Sequence, residues 1–218
     1  MTDTSDASLI DISIPFAAHM PAWPGDTPFS CGWTARRETG ASVNLAHLHL
    51  SAHTGTHADA PLHVETAWGA SETLSVAAFV GEARVIALSA SHAADRAIDV
   101  TTLEQLLADS AWCARLLICT GVVVNRHAFP GAWPALDEPA ARWLVQRGVR
   151  LVGVDAPSVD ARDSTSLPVH HALFGSGAHV LENLALGAVP PGRYELLAPP
   201  LFIVGADAAP VRALLRKR

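Results

Sequence analysis

Short apolar runs, each ended by turn residues, constrain the fold of this 218-residue chain more than any other feature of its sequence. These runs are rich in Val, Ile and Leu. Such runs are typical of β-strands that are buried on both faces, since a buried helix needs a longer apolar pattern. The predicted strands are residues 83–88, 116–121, 149–154 and 201–204.

Two helices are marked by residues that favour helix ends. Asp137 is placed to cap a helix with Pro139 in its first turn, and Gly148 lies where that helix should end. Thr101 and Glu104 resemble a capping box at the start of another helix. Helices combined with buried strands predict a mixed α/β fold.

The composition supports a globular domain and argues against several functions. Half of the residues are hydrophobic and 17% are charged, so we expect one domain over residues 1–218. The formal net charge is −6, which argues against a nucleic-acid partner, because affinity for phosphates comes mainly from Lys and Arg. Lys217 is the only lysine, and its terminal position argues against a Schiff-base or P-loop lysine.

Three features predict a cytoplasmic protein without a membrane partner. The longest uncharged apolar stretch, residues 116–124, is too short to span a membrane. Residues 1–6 are polar and acidic, unlike the start of a secretory signal peptide. Cys31, Cys113 and Cys119 are odd in number and lack CxxC spacing, so we expect reduced and buried thiols.

Residues 53–63, which read HTGTHADAPLH, contain three histidines and one aspartate. Imidazole and carboxylate groups are the ligands that divalent metals such as zinc prefer. The alternatives are a structural zinc site or several unrelated polar histidines. His47 and His49 lie upstream on an alternating segment, residues 43–50, where we expect them on one face of a strand.

Local geometry limits how the 53–63 segment could bind one ion. In a straight strand His53 and His57 would lie about 13 Å apart, which is too far. Gly55 and Pro61 disfavour a helix through the segment. The remaining conformation is a tight turn around Gly55, which would fold both histidines onto one metal with Asp59 returning to it.

A second group of candidate ligands lies far along the chain. Glu182 follows an apolar pair, where a buried carboxylate is costly unless it has a metal or another partner. His170 or His171 could join Glu182 and complete a metal site begun by the first group. The spacing alone does not distinguish these two adjacent histidines.

Residues 53–63 resemble the HxGTHxDxPxH signature of the cyclase-like metal-dependent hydrolases, in particular the bacterial kynurenine formamidases (arylformamidases). The resemblance implies a single-domain swivelling β/β/α fold with a mixed central sheet, and a homodimer. It also implies hydrolysis of a small aryl formamide, N-formyl-L-kynurenine, to L-kynurenine and formate. Further segments that look like blocks of this family are residues 21–28, 154–160, 167–170, 180–182 and 190–195.

The same resemblance implies a site for two zinc ions per subunit, with manganese as the alternative metal. Asp59 would bridge the two ions, and Glu182 would touch both. The family pattern selects His170 rather than His171. The ligands that it implies are His53, His57, Asp59, His170 and Glu182.

Two further residues receive roles from the resemblance. His63 would be the proton donor and acceptor, a task that an imidazole can perform near neutral pH. Trp23 would contact the substrate, because its flat face suits an aryl ring. Packing of Trp23 under a proline-rich loop is the structural alternative.

Two departures from the family pattern leave the substrate open. Cys119 precedes Thr120 where the formamidases tend to carry an arginine, and residues 122–133 match no single substrate group. A sister hydrolase acting on another aryl or cyclic amide, such as isatin, is therefore an alternative. A non-enzymatic metal-binding protein is another. The chain has no GxSxG motif, which argues against a serine nucleophile.

Overall fold

The computed structural model describes residues 8–89, 96–108, 112–122 and 128–217. Residues 1–6, on which the expectation of no signal peptide rests, lie outside these ranges. The strands are β1 (Leu9–Asp11), β2 (Ser30–Ala35), β3 (Leu45–His49), β4 (His57–Asp59), β5 (Val80–Ala87), β6 (Arg115–Cys119), β7 (Leu151–Val154), β8 (His179–Glu182), β9 (Gly192–Leu197), β10 (Ala208–Pro210) and β11 (Leu214–Lys217). The α-helices are α1 (Val100–Leu107), α2 (Glu138–Gln146) and α3 (Pro168–Phe174).

Nine strands form one mixed sheet in the order β1-β11-β9-β5-β6-β7-β8-β4-β10. Strands β5 to β8 run parallel, and the remaining neighbours are antiparallel. The predicted α/β fold with a mixed central sheet is confirmed. One domain over residues 1–218 stays a prediction, which the pairing of β1 with β11 supports.

Both faces of the central strands are buried, as their apolar composition predicts. Leu117 and Leu151 contribute to one hydrophobic core, whereas Ile118 and Val152 contribute to the other. This division follows because successive side chains of a strand point to opposite faces. The second core also contains buried side chains of α1, α2 and α3. The predictions of strands in residues 83–88, 116–121 and 149–154 are confirmed.

The prediction of a strand at residues 201–204 is wrong. These residues form an exposed loop, in which the side chain of Phe202 is 81% exposed. Pro199 and Pro200 precede the loop, and proline has no N–H with which to enter a strand ladder. The chain joins the sheet again only at β10, which forms its edge.

One of the two predicted helix starts is confirmed. The side chain of Asp137 accepts a 2.8 Å hydrogen bond from an N–H in the first turn of α2, and Gly148 follows the helix with φ +86°. At α1 the cap is Asp99, which accepts a 2.8 Å hydrogen bond, and Thr101 lies inside the helix. An aspartate caps well because its charge also interacts with the helix dipole.

The two-stranded sheet of β2 and β3 is separate from the main sheet. Its residue Cys31 is exposed, so the prediction of a buried thiol is wrong there, whereas Cys113 and Cys119 are partly buried and all three cysteines are free. His47 and His49 are exposed on β3.

No helix in the described part of the chain is long and apolar enough to cross a membrane.

Candidate metal centre

The turn before β4 brings the first predicted ligands together. The chain bends around Gly55, whose φ is +60° and where an added Cβ would lie 2.7 Å from the ring of Phe16. His57 and Asp59 then share one face of β4, because they are two residues apart in a strand. The ring centroids of His53 and His57 are only 4.9 Å apart. The turn predicted from Gly55 is therefore present.

Neighbouring elements bring the second group to the same place. In the β4–β8 register His57 lies opposite Glu182. Helix α3 carries His170, whose Nε2 lies 3.1 Å from Asp59 Oδ2 and 3.3 Å from Glu182 Oε1. His171 points away and is exposed. The structure thus places His170, and not His171, beside the other predicted ligands. We refer to His53, His57, Asp59, His170 and Glu182 as the cluster.

Asp59 belongs to two groups of candidate ligands. Its Oδ1 lies 3.0 Å from His53 Nδ1 and 3.2 Å from His57 Nε2. Its Oδ2 faces His170. In each group one ligand atom from every residue lies within 4.8 Å of the others. The groups are His53, His57 and Asp59, and Asp59, His170 and Glu182.

Two buried atoms of this cluster favour a metal ion. Among the described residues, His57 Nε2 and Asp59 Oδ1 are buried and have no hydrogen-bond partner, although they lie only 3.2 Å apart. Buried polar atoms normally have a hydrogen-bond partner or bind a metal, so these two atoms are unsatisfied without a ligand. A divalent cation would satisfy both, and imidazole and carboxylate groups are suitable ligands. The residues present therefore fit a metal.

The charges of the cluster are strongly coupled. Burial opposes the charged form of His53, but the hydrogen bond to Asp207 and the nearby carboxylate of Asp59 outweigh it and raise its pKa to about 10. Burial likewise opposes the charge on His57, and the neighbouring Asp59 charge raises its pKa to about 9. Burial would raise the pKa of Asp59, but the charge of His57 and a hydrogen bond from His170 lower it well below its usual range.

Asp160 holds His170 from the side opposite to the cluster. Its Oδ2 accepts a 2.6 Å hydrogen bond from His170 Nδ1, and its two oxygens also accept from the backbone N–H groups of Val169 and His170. An ionised carboxylate can only accept, so Nδ1 carries the hydrogen and Nε2 is directed at Asp59. Metal-binding histidines are commonly oriented in this way. The sequence places Asp160 in a block that looks like the family, residues 154–160, but does not predict a role for it.

Asp207 is a second residue that the sequence did not reveal. Its Oδ2 lies 3.0 Å from His53 Nε2 and 3.4 Å from His63 Nδ1. The hydrogen bonds from His53 and His63 keep the pKa of Asp207 below its ordinary value. His63 lies on a short 3₁₀ helix, Pro61–His63, and its ring centroid is 4.4 Å from that of His53. His63 is thus beside the cluster, with 30% of its side chain exposed.

A largely apolar cavity of about 560 Å³ opens onto the cluster. Trp23 lines it and packs edge-on against Phe129 and Trp133, with ring centroids 5.2 Å and 5.8 Å away. The side chain of Trp23 is 40% exposed, which is more than we expect for a tryptophan packed under the proline-rich loop. Four residues of the cluster, His53, His57, His170 and Glu182, also line the cavity, as does the neighbouring His63.

Part of residues 122–133, the segment that matches no single substrate group, lines the cavity. Phe129 and Pro130 belong to its wall, while residues 123–127 lie outside the described part of the chain. Asp155 caps the turn that follows β6. It accepts hydrogen bonds from Thr120 N–H and O–H and from the next N–H.

Comparison with known proteins identifies the family. The Cyclase family model matches residues 10–161. The chain is 45% identical to the kynurenine formamidase of Geobacillus thermodenitrificans over 95% of this chain and 97% of the relative. It is 48% identical to the kynurenine formamidase of Salinibacter ruber over 96% and 97% of the two chains. The chain belongs to the cyclase family, and the predicted resemblance is confirmed.

Solved structures agree with this assignment. A predicted metal-dependent hydrolase from Bacillus stearothermophilus superposes with a TM-score of 0.80 at 31% identity, over 96% of this chain and 98% of the other. Isatin hydrolase A from Labrenzia aggregata has a TM-score of 0.80 at 22% identity, over 95% and 92%, which shows the shared fold. The prediction that the chain is a hydrolase is confirmed by these relatives.

Proposed function

We propose that this hydrolase cleaves the formyl amide of N-formyl-L-kynurenine to give L-kynurenine and formate, a reaction of tryptophan breakdown. The observation that carries the proposal is the cavity of about 560 Å³, which has aromatic walls and ends on the His, Asp and Glu cluster. An N-acylated aniline has a flat ring for the aromatic wall and a small polar amide for the cluster. The identities of 45% and 48% to kynurenine formamidases support the same substrate.

The proposed cofactor is zinc, two ions per subunit, with manganese as the alternative. The two ligand groups that share Asp59 support a pair of ions. When bound, such ions lower the pKa of a coordinated water toward about 7 and polarise an amide oxygen. The residues that would hold them are His53, His57, Asp59, His170 and Glu182.

His63 is the proposed group for proton transfer, and Trp23 the proposed aromatic contact for the substrate. His63 lines the cavity and is partly exposed, whereas His57 and His170 are buried in the cluster. Hydrolysis adds water to the formyl carbon and breaks the bond from that carbon to the aniline nitrogen. His63 accepts a proton from the attacking water and delivers it to the departing nitrogen. Trp23 holds the ring so that this nitrogen faces His63.

Metal binding should release protons and should weaken as the pH falls. In the metal-free protein the pKa values of His53 and His57, about 10 and about 9, keep both rings protonated at pH 7. A metal binds only the deprotonated nitrogen, so it displaces about one proton per histidine. Calorimetric titration with zinc at pH 7, in two buffers of different ionisation enthalpy, measures this release. Binding without proton release, or with pH-independent affinity between pH 6 and 8, would contradict the assignment.

The proposed assembly is a cytoplasmic homodimer. The separate β2–β3 sheet exposes apolar side chains on Trp33, Leu45 and Leu48, each about half accessible, and such groups are commonly covered by a partner. Three free cysteines agree with a reducing compartment. Light scattering should give twice the chain mass of 22.9 kDa, and a mass of one chain would contradict the dimer.

Substrate profiling separates the proposed function from its nearest alternative. Zinc-loaded protein is offered N-formyl-L-kynurenine and isatin, and kcat/KM is measured for each by absorbance. The proposal expects a clear preference for the formamide. A preference for isatin would move the assignment to a cyclic-amide hydrolase. Turnover of neither amide would contradict the proposal and would mean that this hydrolase acts on another substrate.

A further inference from the structure

One carboxylate oxygen lies between two histidines of different proposed function. Asp207 Oδ2 is 3.0 Å from His53 Nε2 and 3.4 Å from His63 Nδ1. Both histidines line the cavity, and His53 also belongs to a ligand group that contains Asp59. Asp207, His53 and His63 form a third group of side chains whose ligand atoms lie within 4.8 Å of one another. The rings of these histidines have centroids 4.4 Å apart. A single acidic side chain therefore contacts both parts of the site.

The backbone fixes the position of Asp207. The residue directly precedes β10, where Ala208 lies opposite Asp59 in the β4–β10 register. The carbonyl of Asp207 accepts a 2.9 Å hydrogen bond from the N–H of Ala60, and the preceding carbonyl accepts one of 2.8 Å from Ser71. Because hydrogen bonds hold the chain on both sides, the carboxylate is presented from an ordered edge of the sheet.

We propose that Asp207 is a positioning residue that fixes the tautomers of both His53 and His63. The part of this inference that concerns His63 rests on the proposed function, in which His63 transfers the proton. An ionised carboxylate can only accept hydrogen bonds, so each contacted ring nitrogen carries the hydrogen. His53 then directs Nδ1 at Asp59, 3.0 Å away, where a metal would bind. His63 is left with Nε2 as its free acceptor for a proton.

Each half of the proposal has its own expected effect. Carboxylates that orient metal-binding histidines contribute about 10- to 100-fold to metal affinity or activity. Asp207→Asn should therefore weaken zinc binding, measured by competition with a chromophoric chelator, by about 10- to 100-fold. At saturating zinc it should lower kcat by about 10-fold or more and leave KM within about twofold, because only the proton-transfer group is misplaced.

A double variant separates an action through His63 from a general loss of structure. If Asp207 positions His63, Asp207→Asn should lower kcat no further in a His63→Ala background, while zinc affinity falls as it does in the single variant. Asp207→Glu should recover part of both losses, since it restores a charged carboxylate that only accepts hydrogen bonds, whereas the asparagine amide is neutral and also donates. The matched control is Asp11→Asn, which removes a carboxylate of similar exposure, 41% against 47%, that pairs with Arg212 far along the chain.

The outcomes are distinct. Loss of zinc affinity and of kcat in Asp207→Asn, with neither loss in Asp11→Asn, supports the proposal. Zinc affinity and kcat within about twofold of wild type would overturn it, as would equal losses in the control. If the wild-type protein hydrolyses no formamide, the proposed function fails, and zinc affinity alone decides whether Asp207 positions His53.

Discussion

Replacing His63 with alanine should lower kcat for N-formyl-L-kynurenine by about 10²–10⁴-fold, because a positioned proton-transfer group contributes about that factor. Zinc content should remain that of the wild type, since His63 lies beside the ligand groups of Asp59 and is partly exposed. Steady-state kinetics and elemental analysis of the same preparation measure both quantities. The combination of retained metal and lost turnover distinguishes His63 from the ligands.

His47→Ala is the matched control for this variant. His47 is an exposed histidine on β3, and its side chain forms a hydrogen bond with Thr34. It should therefore keep both the zinc content and the turnover of the wild type. A His63→Ala protein that keeps full turnover would remove His63 from the mechanism, and one that loses its zinc would make His63 a ligand.

Replacing Asp59 with asparagine should abolish the binding of both metals and lower kcat/KM by about 10³-fold or more, since the ions contribute several kcal/mol to the transition state. Asp59 is fully buried and its two oxygens face the two ligand groups, so asparagine removes the charge that both groups share. The metal-free protein should also lose about 3–5 kcal/mol of stability, because buried histidine charges would lose their partner. Elemental analysis and denaturant unfolding test these expectations.

Asp155→Asn is the matched control for the loss of a buried carboxylate. Asp155 is also buried and accepts three hydrogen bonds, but these come from the turn that follows β6. The control should unfold more easily and yet retain its metal. Two bound zinc ions in Asp59→Asn, with turnover preserved, would show that Asp59 is not shared between the metals.

The ligands close together in sequence could be predicted because local geometry leaves few choices. His53 and His57 can approach each other only through a turn, and Gly55 has the positive φ and the close contact with Phe16 that such a turn requires. The choice of His170 over His171 needed the family resemblance. Its physical basis is the orientation of α3, which buries one ring and exposes the other.

Asp207 could not be predicted, because nothing in its local sequence marks it. It lies 144 residues beyond His63 and reaches the site only through the pairing of β10 with β4. Single carboxylates in loops are common, and only tertiary structure shows which of them contacts a histidine. The error at residues 201–204 has a local cause, since the two prolines before that apolar run weigh against a strand.

Hydrolysis of N-formyl-L-kynurenine before and after removal of the metal tests the central claim most directly. The rate is followed by absorbance on protein as purified, after dialysis against a chelator, and after zinc is restored, with the metal content measured at each stage. We expect rapid turnover, its loss on chelation, and its recovery when two zinc ions per chain are bound. Turnover that survives complete metal removal, or no turnover in the zinc-restored protein, would contradict the proposal.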